Sequence, residues 1–254
     1  MKICVFDTET IDLEKCFVYN IGFCLFDTET AEIMLKEEYV IEQVWHNTAL
    51  FETAYYANKK DYYIKGMRGR TIRLEKFGYV TQRMYRLFKE HEVTQAYAFN
   101  SPFDERVFAF NCEWFKCINP FDNIAVHDIR AYAVEYIGKT EEYKKACDEN
   151  QWYTEKGNYG TTAEIFYRYI MNDKDFIESH TALDDSIIET AILLECIKRG
   201  AEYGQNYEVP KSLARTRTQM LEVYHNGEIV YERECNSIYK RQIKDTTKIY
   251  LKGE

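Results

Sequence analysis

Apolar residues fall in short runs at the start of the chain and at helical spacing further on. Residues 2–6 (KICVF) form an apolar run ending at a turn-like DTET, the pattern of a buried strand. Residues 19–26 (YNIGFCLF) and 32–41 (EIMLKEEYVI) predict two more strands, and the polar segment 27–31 suits a hairpin loop between them. Three antiparallel strands are thus expected at the N-terminus. Residues 81–91 predict a helix and 95–99 a short strand. Ser101-Pro102-Phe103-Asp104 has the order of a helix start: serine at the N-cap, proline at the first position, a carboxylate in the first turn. Residues 124–128 predict a further strand, and 129–137, 141–150 and 161–170 have helical composition. The clearest helix spans 181–199, where Leu183, Ile187, Ala191 and Leu194 recur at helical spacing and Gly200 follows as a stop.

The texture changes after Gly200. Residues 221–225 and 228–232 flank Asn226-Gly227, the preferred pair of a two-residue type I′ turn, so a hairpin is predicted, with 249–251 as a third strand. The expected domain plan is a main unit over 1–200 and an appended β element over 201–254. Strands first, then strands alternating with helices, predict an α/β fold with a mixed sheet and helices on its faces.

Composition narrows the class. The 254 residues are 46% hydrophobic and 30% charged, which excludes wholesale disorder. The net charge of −9 argues against a protein that simply coats nucleic acid, but not against an acidic site with local basic patches. The eight cysteines form no CxxC pair and read as free thiols of a reducing compartment. No apolar run approaches the ~20 residues of a membrane span. The opening residues lack the apolar stretch of a secretory signal, so a cytoplasmic location is expected, in a bacterial cell or a phage-infected host.

One segment departs from the average. Residues 50–76 carry seven basic side chains against three acidic, with Tyr55, Tyr56, Tyr62 and Tyr63 interleaved. Cations neutralise phosphates and tyrosines stack on unpaired bases, so this insertion is a candidate nucleic-acid grip. The alternative is a solvated, partly helical insertion whose tyrosines pack on the core. Residues 211–252 hold nine basic and five acidic residues, and a hairpin or oligomer contact explains them as well.

The candidate chemistry lies in Asp7 and Glu9 after the first strand, Asp104 at a helix start, and His180 with Asp185 before the long helix. Residues two apart on a strand point to one side, so Asp7 and Glu9 aim together if the extended backbone continues. Carboxylate oxygens suit Mg²⁺, and clustered carboxylates tolerate one another only with cations between them. Each piece alone reads blandly, as a solvated turn or a helix-start acid. FDTET also occurs at 26–30, where a hairpin tip normally faces solvent, and Asp184 competes with Asp185.

Order and spacing together are more specific. Three blocks, ICVFDTET (3–10), AFNSPFDERVF (98–108) and HTALDDSIIETAIL (180–193), resemble the DEDD exonucleases with a catalytic histidine, among them the proofreading subunits of bacterial polymerases. The matched positions are Asp7/Glu9, Asn100/Asp104 and His180/Ala182/Asp185, with HDIRAYA (127–133) between them. The resemblance covers about residues 1–199. It implies a ribonuclease H-like fold and hydrolysis of DNA from a single-stranded 3′ end with two divalent cations, Mg²⁺ or Mn²⁺. Asp7, Glu9, Asp104 and Asp185 are the implied metal ligands, and His180 the implied general base. Thr8, Asn100, Lys59, Lys60, Arg68, Arg70 and Arg73 are candidate substrate contacts. A polymerase or replication partner is a further expectation. RNA or short oligonucleotides are the alternative substrate, and a silent nucleic-acid-binding or scaffold module is the alternative of another class.

Overall fold

A computed structural model describes residues 1–14, 16–208 and 212–215, and residues 217–225 and 228–237 as strands. The chain opens with β1 (Lys2–Thr10), β2 (Val18–Asp27) and β3 (Glu32–Ile41). Two single-turn helices follow, α1 (Glu42–Trp45) and α2 (Thr48–Phe51), then α3 (Lys60–Gly69) and β4 (Arg73–Glu75). Next come α4 (Phe77–Glu90), β5 (Gln95–Ala98), α5 (Ser101–Phe115) and β6 (Ala125–Asp128). The remaining helices are α6 (Ile129–Ala133), α7 (Glu141–Asn150), α8 (Ala163–Met171) and α9 (Ala182–Lys198). Residues 134–138 extend α6 as a π-type turn. β7 (Arg217–His225) and β8 (Glu228–Ser237) form an antiparallel pair, while 226–227 and 249–251 lie outside the described residues.

Among the described residues the main sheet has six strands in the order β4-β3-β2-β1-β5-β6. β1, β2 and β3 are antiparallel neighbours, and β4, β5 and β6 join in parallel. β2 is buried along nearly its whole length, which fits an interior strand covered on both faces. On one face Cys4, Phe6, Ile21 and Phe23 meet Phe77, Val80 and Met84 of α4 and Val107 and Phe108 of α5. On the other, Ile3, Val5 and Tyr97 meet α6 and α9 through Ile129, Tyr132, Ile188 and Ile192. No helix among the described residues is long and apolar enough to cross a membrane.

Two local expectations are corrected, and the insertion proves to carry a strand and a core cluster of its own. DTET is not a turn: β1 continues to Thr10 because Asp7 pairs with Gly22 and Glu9 with Asn20 on β2. The cap of α5 is Asn100, at φ +65°, not Ser101; asparagine tolerates the left-handed region better than most residues. The insertion contains β4, a three-residue strand set by its pairing with β3 rather than by its own pattern. Its Phe51, Tyr63 and Ile72 form a third apolar cluster with Tyr19, Val40 and Val44.

The chain beyond Gly200 does not leave the main unit at once. Gly204 N–H donates to the Tyr97 hydroxyl at 2.8 Å, and the Tyr132 hydroxyl donates to the Gln205 carbonyl at 2.7 Å. His127 Nδ1 lies 2.9 Å from Asn206 Oδ1. Ala201 and Leu213 are buried with Phe166 and Ile137, so a boundary at 200 passes through packed residues.

Candidate active site

Strand alternation sorts the first motif onto two faces. Ile3 and Val5 face the α6–α9 side, and Asp7 and Glu9 continue that row. Cys4 and Phe6 face α4 and α5, and Thr8 continues theirs. The Thr8 hydroxyl donates to Asp104 Oδ1, in the first turn of α5, at 2.6 Å.

The start of α9 is held over the same place by two residues of β2. Gly22, the register partner of Asp7, lets α9 come so close that an added Cβ would lie 2.1 Å from Leu183 N. Asn20 Oδ1 accepts the Ala182 N–H at 2.9 Å and the Tyr63 hydroxyl at 3.2 Å. It satisfies a helix N-terminal donor that Thr181, the residue before α9, does not cap with its own side chain. Asp185 is thereby carried to Asp7 and Glu9.

Ligand oxygens of Asp7, Glu9 and Asp185 all lie within 4.8 Å of one another. Among the described residues none of the three forms an ion pair with lysine or arginine. Burial raises the Asp7 carboxyl to about 7. Burial first, then the Asp7 charge, raises Glu9 to about 9 and Asp185 to about 10. Asp104, 2% exposed, and Glu189, 3% exposed, are held well above the usual carboxylate range by the same causes. Asp185 Oδ1 is buried with no hydrogen-bond partner. An orphaned carboxylate oxygen inside an unneutralised acid cluster is what a divalent cation would satisfy, so the residues fit a metal. Asp104 stands beside this triad, reached through Thr8, and is not one of its three.

His180 sits in the loop before α9 at φ +49°. Its ring stacks on Tyr56, with centroids 4.5 Å apart and planes 15° from parallel. Its Nδ1 lies 3.8 Å from Glu178 Oε2. Burial, then the nearby Lys59 charge, lowers the imidazole below its ordinary value. A cavity of about 510 Å³ joins Asp7, Glu9, Asp185 and His180 to Tyr56, Phe99, Asn100, Arg130, Glu178 and Glu189.

Of the expected substrate contacts, Thr8 and Asn100 line this cavity. Lys59 lies over the Tyr56 ring at 5.3 Å, and its charge reaches Glu9 and His180. None of the five expected cations lines the cavity. Lys60 lies over Phe51, Arg68 and Arg70 sit at the C-terminal end of α3, and Arg73 bonds Glu37 and Tyr39 on β3. Asp184 accepts hydrogen bonds from Ser179 and Thr181, while Asp185 joins the triad. The second FDTET is the β2–β3 turn, with Asp27 ending β2. The residues missed are Tyr56 as the partner of His180, and Arg130, Glu178 and Glu189. Glu189 carries a readable signal, since it lies one helical turn after Asp185 on the same face. Cys4, Cys16, Cys24, Cys112, Cys117, Cys147 and Cys196 are free thiols.

No known family profile and no curated protein matches the chain. Solved structures do. The nuclease domain of 3′hExo, a DEDDh family member bound to rAMP, is 14% identical. The match covers 83% of this chain and 96% of that one, with a TM-score of 0.57. The chain shares the fold of that nuclease domain. A 3′-exonuclease recognising the histone mRNA stem-loop is 15% identical, covering 93% of this chain and 71% of that one, with a TM-score of 0.55. The six-stranded mixed sheet is therefore ribonuclease H-like, as the resemblance implied.

The acid cluster makes metal binding a stability measurement. Raised carboxyl pKa values stabilise the metal-free protein fully only below the unfolded value near 4, and that stability is lost as pH rises through about 7 and above. Cation binding must displace those protons, so affinity climbs over the same interval. Melting with and without Mn²⁺ should show little shift at pH 5. At pH 8 a rise of about 5–10 °C is expected once the ion exceeds its Kd a hundredfold. A shift that shrinks with pH would contradict the cluster as the binding place.

Proposed function

We propose that the protein is a metal-dependent 3′→5′ exonuclease that hydrolyses DNA from a single-stranded 3′ end and releases nucleoside 5′-monophosphates. The observation that carries this is the convergence of Asp7, Glu9 and Asp185, with no ion-pair partner among the described residues, beside an imidazole in an open cavity. An acidic site repels a phosphodiester unless cations occupy it. Asp7, Glu9 and Asp185 would hold one divalent ion, and Asp104 would serve a second, directly or through water. When bound, such ions supply charge neutralisation and acidify water.

The chain's own groups supply the rest. His180 takes the proton of the attacking water on Nε2, since Nδ1 faces Glu178. Its lowered pKa keeps it neutral at pH 7 and able to accept that proton. Glu178 then faces the imidazolium as a counter-charge. Arg130 is a cation on the cavity wall and suits a backbone phosphate. The 3′ polarity rests on the motif resemblance and on neighbours described as 3′-exonucleases. RNA is the second reading, because the neighbours are described with rAMP and an mRNA stem-loop. A role beside a polymerase belongs to the first reading.

The experiment is a time course on 5′-labelled DNA and RNA oligomers of equal length, with Mg²⁺ or Mn²⁺ and with chelator. Stepwise shortening from the 3′ end with 5′-mononucleotide product supports the proposal, and the faster series names the sugar. Internal cuts, or cutting that survives chelation, count against it. His180→Ala should lower kcat about 10²–10⁴-fold while the Mn²⁺-induced melting shift is retained, because the imidazole is not one of the clustered ligands. Loss of both together would reassign His180 to the metal.

A further inference from the structure

The way His180 is held is unusual for a base. A working imidazole is normally oriented by a hydrogen bond from its second nitrogen. Here, among the described residues, no hydrogen bond holds the ring, and Glu178 stands at 3.8 Å from Nδ1. The backbone there is not helical, since His180 lies outside α9 and at positive φ. Ser179 and Thr181 on either side are tied to Asp184, but their bonds fix the loop and not the ring. What lies against the ring plane is Tyr56, stacked almost parallel at 4.5 Å.

Tyr56 comes from the insertion, at the entry to a short 3₁₀ turn over Ala57–Lys59. It is anchored on its own side by Lys59 above its ring and by Tyr55 packed edge-on at 4.8 Å. The turn runs directly into α3 and follows α2 after five residues, and Phe51 of α2 and Tyr63 of α3 are fully buried on the sheet. The insertion therefore places an aromatic plate against the one ring whose angle matters for proton transfer.

We infer that Tyr56 is the positioning residue of His180, and that the basic, tyrosine-rich insertion acts on catalysis through this stack. The inference rests on the nuclease reading. It assigns the insertion to orienting the base, where its composition alone pointed to gripping the substrate. The phenol hydroxyl is not needed for this work. A ring held at the wrong angle costs on the order of 10²-fold, the scale of small misplacements in catalytic geometry.

The test compares Tyr56→Phe and Tyr56→Ala with the unaltered protein. The Phe variant should keep kcat within about twofold. The Ala variant should lose about 10–100-fold in kcat with KM little changed. Removing the plate also lets water reach the imidazole, which Glu178, Glu164 and Lys59 still face. The His180 pKa then moves up toward its ordinary value, and the acid limb of the kcat–pH profile moves up with it. Proton NMR reads the stack without turnover. The His180 ring resonances, assigned by their loss in His180→Gln, should lose their ring-current shift in the Ala variant and keep it in the Phe variant. A rise in KM alone would make Tyr56 a substrate-stacking residue and overturn the inference, as would unchanged His180 resonances in the Ala variant. If the unaltered protein releases no mononucleotide, the nuclease reading falls, and the NMR comparison still reports whether Tyr56 sets the ring.

Discussion

Substituting Asp7 by alanine is expected to cut metal-dependent mononucleotide release by at least about a hundredfold, more than losing an outer-sphere partner of a metal ligand costs. Asp7 sits at the centre of the cluster. Its charge raises Glu9, Asp104, Asp185, Glu189 and Glu178 alike. Removing it takes away a ligand and relieves that repulsion at the same time. The two effects act on different measurements. Activity should fall, while the melting temperature of the metal-free protein at pH 8 should rise and the Mn²⁺-induced shift should shrink. A damaged fold would instead lower both activity and metal-free stability. Unaltered mononucleotide release by the purified variant would remove Asp7 from the chemistry altogether.

Gly22→Ala carries the second large effect, and it acts from the far side of the site. The added methyl would meet Leu183 N at 2.1 Å and the Ala182 carbonyl carbon at 2.2 Å, both backbone atoms. Backbone does not step aside as a flexible side-chain tip does. Either α9 moves off β2 or the strand bends. Overpacking of this kind costs about 1–3 kcal/mol and occasionally more. The shift is delivered directly to Asp185, which follows Leu183 on the first turn. Loss of stability together with loss of the Mn²⁺-induced melting shift is the expected outcome, measured by denaturant titration and by melting. Wild-type stability with an intact metal response would show that the approach of α9 to β2 is looser than the geometry states.

The parts of this site that sequence reveals are those whose spacing is local. Asp7 and Glu9 share a strand face, Asp104 sits in a first turn beside a proline, and Asp185 follows His180 at a fixed interval. The strands β1 to β3 and the helix α9 announce themselves in the same way, through apolar runs and helical recurrence. What stays hidden is set by partners distant in the chain. β4 is three residues long and exists because β3 offers it an edge. Asn100 rather than Ser101 caps α5, because its N–H is taken by Asp128 Oδ1 of β6, a contact that no local pattern encodes. Tyr56 was one of four tyrosines in a basic stretch, with nothing in its neighbours to say that it meets His180. The segment after Gly200 looked separate because its turn residues break the helical pattern. Its attachment runs through the hydroxyls of Tyr97 and Tyr132, which sequence presents only as core aromatics.

The acids of the triad come from opposite ends of the folded unit, Asp7 on the first strand and Asp185 on the last long helix. Pairings of such long range form late, after loop closure has been met. A chain still lacking α9, or a fragment cut before it, therefore holds Asp7 and Glu9 without Asp185, an incomplete cage for a cation. The three-acid cluster thus comes into being only when α9 docks against β1 and β2.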